Sequence, residues 1–164
     1  MIERTLAIVK PDAWPQHGGA IITMATAAGL VPTQVRVVPR MRGDKHYRFG
    51  DMTCACSVDA WPNFYYEHHD KPFFKSLVEF MASGPVLVLV LEGEGAIQKW
   101  RALMGPTDSR NARPDTVRGR FGASYDVHGE GQMGEIYPMW RNAVHGSDST
   151  EAARREIDFF FGGV

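Results

Sequence analysis

Residues 85–91, Pro85-Val86-Leu87-Val88-Leu89-Val90-Leu91, form the longest strongly apolar run in the chain. The run is far below the ~20 residues a membrane helix needs. Its length and its alternating valines read as a fully buried strand. A strand without a polar face requires covering layers, so the neighbouring segments decide the fold. Upstream, residues 72–83 read as a helix with Pro72 in its first turn, Phe73, Leu77, Phe80 and Met81 inward and Gly84 closing it. A further helix is expected over 62–69. Downstream, 94–104 is helical, with Ile97, Trp100, Leu103 and Met104 on the apolar side, Arg101 pointing elsewhere and Gly105 ending it.

Further out, Arg4 to Lys10 reads as a buried strand stopped by Pro11-Asp12, which leaves Lys10 at the strand exit. Ala20 to Ala28 is helical and ends at Gly29. Val31 to Met41 places Val31, Val35 and Val37 on one side at period two, while Pro32 and Pro39 restrict it to an irregular or edge strand. Residues 42–61 hold no period. Gly105 to Phe121 reads as a loop rich in Pro, Gly and Arg, and 122–139 as a continued irregular stretch, a connection long enough to be functional. A short strand at 141–145 precedes a last helix, capped by Asp148 or Ser149, with Glu151 in its first turn and Ile157 and Phe160 inward. This order predicts an α+β, ferredoxin-like sandwich: a four-stranded antiparallel sheet covered by helices.

The chain has 164 residues, the size of one domain. Its 18 basic and 19 acidic side chains nearly cancel, so no global field attracts nucleic acid or an anionic membrane, and neither partner is expected. Any phosphate site has to be local. Cys54 and Cys56 can form neither a disulfide framework nor, alone, a zinc site, and a cytoplasmic, reducing setting is expected. The histidines have no metal-site spacing, so no protein-bound metal is expected. A P-loop pattern is absent. Gly129, Gly131 and Gly134 spell G-x-G-x-x-G without the strand and helix that give this motif its mechanism.

Two features could carry chemistry. Residues 109–120 hold Arg110, Arg113, Arg118 and Arg120 against Asp115, a local charge of +3. Guanidinium forks grip phosphate oxygens in pairs, although a solvated basic loop is the commoner meaning of such a run. His145 stands in Asn142-Ala143-Val144-His145-Gly146-Ser147-Asp148-Ser149, between a strand end and a helix start, where free N–H groups favour an anion. Isolated histidines are usually capping or packed. Here Glu156, two turns into the helix, can accept a hydrogen bond from one ring nitrogen and leave the other to attack.

Together these segments resemble the nucleoside diphosphate kinase family over most of the chain. The matching stretches include Glu3-Arg4-Thr5, Val9-Lys10-Pro11-Asp12, Phe64-Tyr65, Lys71-Pro72-Phe73-Phe74, Ser83-Gly84-Pro85-Val86, Trp100-Arg101, Met104-Gly105-Pro106-Thr107-Asp108, Thr116-Val117-Arg118-Gly119 and the Asn142 to Ser149 block. The resemblance implies γ-phosphate transfer from a nucleoside triphosphate to a nucleoside diphosphate by a ping-pong route through phospho-His145, with broad base use. Glu156 would orient His145, and Ser147 would steady Glu156. Lys10, Tyr65, Arg101, Thr107, Arg118 and Asn142 would surround phosphates and ribose, with Phe73 stacking on the base and Leu77 beside it. Mg2+ would arrive with the nucleotide, and a homo-oligomer, a dimer-based hexamer or tetramer, is implied. One domain spans 1–164, with stretches at about 42–61 and 122–140 that exceed the family's usual length. A nucleotide-binding regulator without turnover and a protein-to-protein phosphohistidine carrier remain as alternatives.

Overall fold

The computed structural model describes residues 1–40, 60–122 and 141–162. Among them run β1 (Ile2–Val9), α1 (Gly18–Ala27), β2 (Val31–Val38), α2 (Ala60–Phe64), α3 (Phe74–Ala82), β3 (Val86–Glu94), α4 (Ala96–Met104), α5 (Val117–Phe121), β4 (Val144–Gly146) and α6 (Thr150–Phe161). Single 3-10 turns stand at Tyr66–His68 and Ser109–Asn111. The four strands form one sheet in the order β2-β3-β1-β4, antiparallel at every contact. The α+β sandwich expected from the sequence is the fold observed.

The central strands explain the architecture. Side chains alternate across a strand, and β3 is apolar in both sets. Val86, Val88 and Val90 join Leu6 and Ile8 of β1 in a core closed by Trp61, Phe64, Leu77, Phe80, Met81, Ile157 and Phe160 of α2, α3 and α6. Leu87, Leu89 and Leu91 join Ala7 and Val9 in a second core under Ile21, Ala25, Trp100, Met104 and Val117 of α1, α4 and α5. Burying an aliphatic side chain fully is worth about 1.5–3 kcal/mol, so neither helical layer can be lost without exposing half of β3.

Several boundaries differ from the expectations. Pro72 lies ahead of α3, whose N-cap is Phe73, so its ring shapes the approach and not the first turn. Phe73 is accordingly only half-buried. The helix expected over 62–69 is one short helix followed by a 3-10 turn. Glu94 ends β3, and α4 begins only after Gly95 in a left-handed conformation. Residues 117–121, expected as loop, form α5, capped by the Thr116 hydroxyl, which accepts the Gly119 N–H at 3.1 Å. The edge character of β2 holds: a bulge falls between Pro32 and Gln34. Ser149 is the N-cap of α6, accepting the Ala152 N–H at 3.1 Å. The stretches at 42–61 and 122–140 lie outside the described residues save for Ala60, Trp61 and Gly122. So do Cys54, Cys56, His46, His128 and the Gly129–Gly134 motif. No described helix is long and apolar enough to cross a membrane.

Register does the positioning. In the β1/β4 pair, Ala7 faces Gly146, Ile8 faces His145 and Val9 faces Val144. His145 therefore shares Ile8's face, toward α2 and α6, while Gly146 turns toward α4. There Trp100 packs closely on the strand: a Cβ on Gly146 would stand 2.3 Å and 2.4 Å from two indole atoms and 3.0 Å from the Met104 methyl. The same indole donates Nε1–H to the His145 carbonyl at 3.2 Å. Gly146→Ala is expected to destabilise the fold by about 1–3 kcal/mol through overpacking; a urea melt with an unchanged midpoint would contradict that packing.

Candidate active site

His145 is held from one side. Its Nε2 lies 3.2 Å from Glu156 Oε2, and the Ser147 hydroxyl donates to the same oxygen at 2.7 Å. Ser147 is itself fixed to β1, accepting the Leu6 N–H through Oγ at 3.2 Å and donating its own N–H to the Leu6 carbonyl. Burial pushes the Glu156 carboxyl up, but the hydrogen bond from His145, its charge, the Ser147 hydroxyl and Arg155 outweigh this and hold it below its ordinary value. An ionised Glu156 takes the Nε2 proton as acceptor, which leaves the Nδ1 lone pair to act. The rings of Phe64 and Tyr65 meet the imidazole edge-on at 5.4 Å and 5.9 Å and restrict its rotation.

On the β1 exit, buried Lys10 donates from Nζ to Asn142 Oδ1 at 2.8 Å, and Asn142 donates from Nδ2 to the Thr107 carbonyl at 2.8 Å. The second contact reaches across from the loop after α4. Arg118, on α5, is also buried and donates to the carbonyls of Gly105 at 2.9 Å and Val144 at 3.0 Å. Two of five guanidinium donors are thereby committed to the scaffold, and Nε is buried without a partner among the described residues.

The cations repel one another. Burial, then the charge of Arg118, pulls Lys10 down to about 7, partly opposed by Asp12. Burial, then the charge of Arg101, pulls Arg118 down to about 10. Tyr65 is pushed up by burial and by the nearby Glu156 charge, with Arg118 opposing, and its buried hydroxyl has no partner among the described residues. A buried group of positive charges that disfavour their own ionisation is an anion site: an incoming polyphosphate removes the repulsion.

The structure thus brings together His145, Glu156, Ser147, Tyr65, Lys10, Asn142, Thr107 and Arg118, with Arg101 close enough to act on Arg118. Phe73 connects to this group through ring contacts, His68 lying 6.3 Å from Tyr65 and 6.0 Å from Phe73. Leu77 is buried in the core beneath. The arginine run divides. Arg110 pairs with Asp108 at 2.6 Å and Arg113 with Asp115 at 2.8 Å, whereas Arg118 turns inward. Thr116 capping α5 is the local signal that separates Arg118 from its neighbours. Four contributors were not singled out from the sequence: Phe64 against the imidazole, Trp100 on the His145 carbonyl, and Asp12 with Ala143 behind Asn142. Pro11-Asp12 signals a turn and nothing about its partner, and alanine at 143 carries no signal at all.

Comparison with known proteins agrees with this geometry. The family model described as nucleoside diphosphate kinase matches residues 3–164. A nucleoside diphosphate kinase of Bordetella petrii is 44% identical over 161 residues, covering 98% of this chain and 93% of the relative. The structure resembles the Aquifex aeolicus nucleoside diphosphate kinase, with a TM-score of 0.76 and 38% identity over 99% of this chain and 97% of that one. It also resembles a halophilic nucleoside diphosphate kinase from Halobacterium salinarum in complex with CDP, with a TM-score of 0.73 and 35% identity over 98% and 88% of the two chains. A match spanning both cores and the His145 block together establishes that the chain belongs to the nucleoside diphosphate kinase family, whose enzymes transfer phosphate between nucleotides.

Proposed function

We propose that the chain transfers the γ-phosphate of a nucleoside triphosphate to a nucleoside diphosphate in two half-reactions through phospho-His145. The observation that carries this reading is the Glu156 oxygen shared by His145 Nε2 and the Ser147 hydroxyl, which leaves Nδ1 as the nucleophile beside three cations. In the first half-reaction an Nδ1–P bond forms as the bond from the γ-phosphorus to the bridging β-oxygen breaks, and the diphosphate leaves with that oxygen. The second reverses the step onto another diphosphate. Lys10, Arg101 and Arg118 stabilise charge on the transferred group. Tyr65 and Thr107 donate hydroxyls, Asn142 bonds the sugar, and Phe73 with Leu77 offers the base an apolar platform without reading its edge, which supports broad base use. The CDP in the halobacterial structure supports a nucleoside diphosphate as acceptor.

The described residues contain no group of three His, Cys, Asp or Glu side chains able to hold a cation, and the cradle itself is positive. A donor set of this kind suits Mg2+ carried on the nucleotide's phosphate oxygens and waters, where it neutralises phosphate charge. The chain's own residues then bind and orient the complex.

Incubation with labelled ATP is expected to give an acid-labile phosphoprotein whose label moves to unlabelled GDP. His145→Asn abolishes the label, and Glu156→Gln and Ser147→Ala slow its formation. Label that forms on His145→Asn, or that never passes to GDP, removes this reading and favours the alternatives.

Lys10 predicts a pH dependence. In the free protein its ammonium, facing Arg118 on α5, Asp12 in its own loop and the Asn142 amide, is lost as pH rises through about 7. Bound phosphate favours the ammonium and moves that loss upward. kcat/KM, which reports the free enzyme, therefore declines from neutral pH, while kcat declines at a higher pH. Parallel profiles for the two parameters would contradict the assignment.

Assembly into a homo-oligomer with dimers as its unit is supported by the sheet edge: among the described strands β2 has a partner on one side only, and Val31, Val35 and Val37 are 57%, 57% and 51% exposed. Natural monomers blunt such an edge with charge. Val35→Lys with Val37→Lys is expected to shift sedimentation toward the monomer, and an unchanged assembly would exclude this edge.

A further inference from the structure

Ala143 has φ +67°, the left-handed region, and no other described non-glycine residue does. The Val144 N–H donates to the Asn142 carbonyl at 2.8 Å across it. A hydrogen bond spanning two residues around a positive φ is the rare, strained form of the γ-turn, and alanine has neither glycine's freedom nor the local hydrogen bonds that let Asn or Asp adopt it. The turn carries Asn142 on its first residue and is followed, after Val144, by His145. A small rotation at Ala143 therefore changes the separation of the ribose-binding amide from the nucleophile.

One stretch of chain grips this turn from both sides. The Lys10 N–H donates to the Ala143 carbonyl at 2.8 Å, and Asp12 Oδ2 accepts the Ala143 N–H at 3.2 Å. Both peptide groups flanking the strained Cα are thus tied to Lys10-Pro11-Asp12. The second carboxylate oxygen, Oδ1, is buried without a partner among the described residues. Burial pushes the Asp12 carboxyl up, opposed by the Ala143 N–H and by the charges of Lys10 and Arg141. A buried carboxylate is an unfavourable choice for closing a simple turn, so its acceptor role toward Ala143 requires a reason.

We infer that Asp12 is a positioning residue for phosphoryl transfer: by accepting the Ala143 N–H it holds the γ-turn in its strained form and sets where Asn142 and His145 stand relative to Lys10. This rests on the reading of His145 as nucleophile. Asp12 touches no substrate and acts through the backbone.

The test is the single-turnover rate of phosphohistidine formation from labelled ATP, with kcat and KM, in the full-length parent and its variants. Asp12→Ala is expected to slow the phosphorylation by about 100-fold, the scale of a misplaced reacting group, with a much smaller change in KM. Asp12→Asn, whose amide oxygen can still accept the Ala143 N–H, keeps a rate within a few-fold of the parent when assayed well below neutral pH, where loss of the Asp12 charge does not discharge Lys10. Adding Ala143→Gly to Asp12→Ala recovers about tenfold or more, because glycine occupies positive φ without a Cβ clash. An Asp12→Ala protein with the parent's rate overturns the inference, as does a loss that glycine at 143 leaves unrelieved. Should Asp12→Ala fail to fold, Asp12→Asn decides: a rate near the parent's supports the acceptor role, and a deep loss overturns it. A parent that takes no label, or a His145→Asn that does, sinks the nucleophile reading first and this inference with it.

Discussion

The antiparallel register of β4 on β1 is the constraint from which the site follows. Three residue pairs, Ala7 with Gly146, Ile8 with His145 and Val9 with Val144, set the face on which each side chain of β4 emerges. A slip by one residue would turn the imidazole toward Trp100 and Gly146 toward Glu156. Three pairs are few, and the pairing is reinforced at both ends: Lys10 donates to Ala143 beyond one end, and Ser147 exchanges hydrogen bonds with Leu6 beyond the other. The absence of a side chain at Gly146 allows Trp100 to lie against the strand and lock it from the opposite face.

Charge sets the second condition. Two cationic side chains are buried close together and near a third; burial lowers the pKa of both, and the charge of Arg118 adds to this at Lys10 as that of Arg101 does at Arg118. Such an arrangement opposes folding in isolation, since burial removes hydration from ammonium and guanidinium alike. It persists because carbonyls and an amide hold the heads in place: Gly105 and Val144 for Arg118, Asn142 for Lys10. Fixed donors of this kind do not need to reorganise when negative charge arrives, the property that makes a preorganised site effective. Strain at Ala143 belongs to the same pattern, about 1–3 kcal/mol of unfavourable backbone retained beside reacting groups.

Legibility followed period and chemistry. The buried strand at 85–91, the glycine stops at Gly29 and Gly105, a cap at Asp148 or Ser149 and the edge character of β2 were visible because each rests on a local rule. The helix over 117–121 was not: at five residues it is too short for a period to show, and the arginines around it looked like one basic loop. Only Thr116, a cap easily taken for a loop residue, marked its start. The same brevity hid which arginine matters. Arg110 and Arg113 have carboxylates two residues away on the chain, and those local pairs leave Arg118 as the member of the run that turns into the fold. His145 and Glu156 could be connected from the sequence because both sit within a strand end and the two helical turns that follow, whereas Ser147 joined them only through the resemblance to the family.

What the sequence determined by itself is whatever depends on neighbours along the chain: two apolar faces on β3, hence helices on both sides of the sheet, and a histidine preceding a capped helix. Contacts between distant segments were decided only by the tertiary structure. Lys10 meets Asn142 across 132 residues, Trp100 meets the His145 carbonyl across 45, and Asp12 meets Ala143 across 131. No residue pattern encodes these meetings, because they follow from strand register and helix packing, which are settled by the burial of whole surfaces and not by the identity of any one side chain.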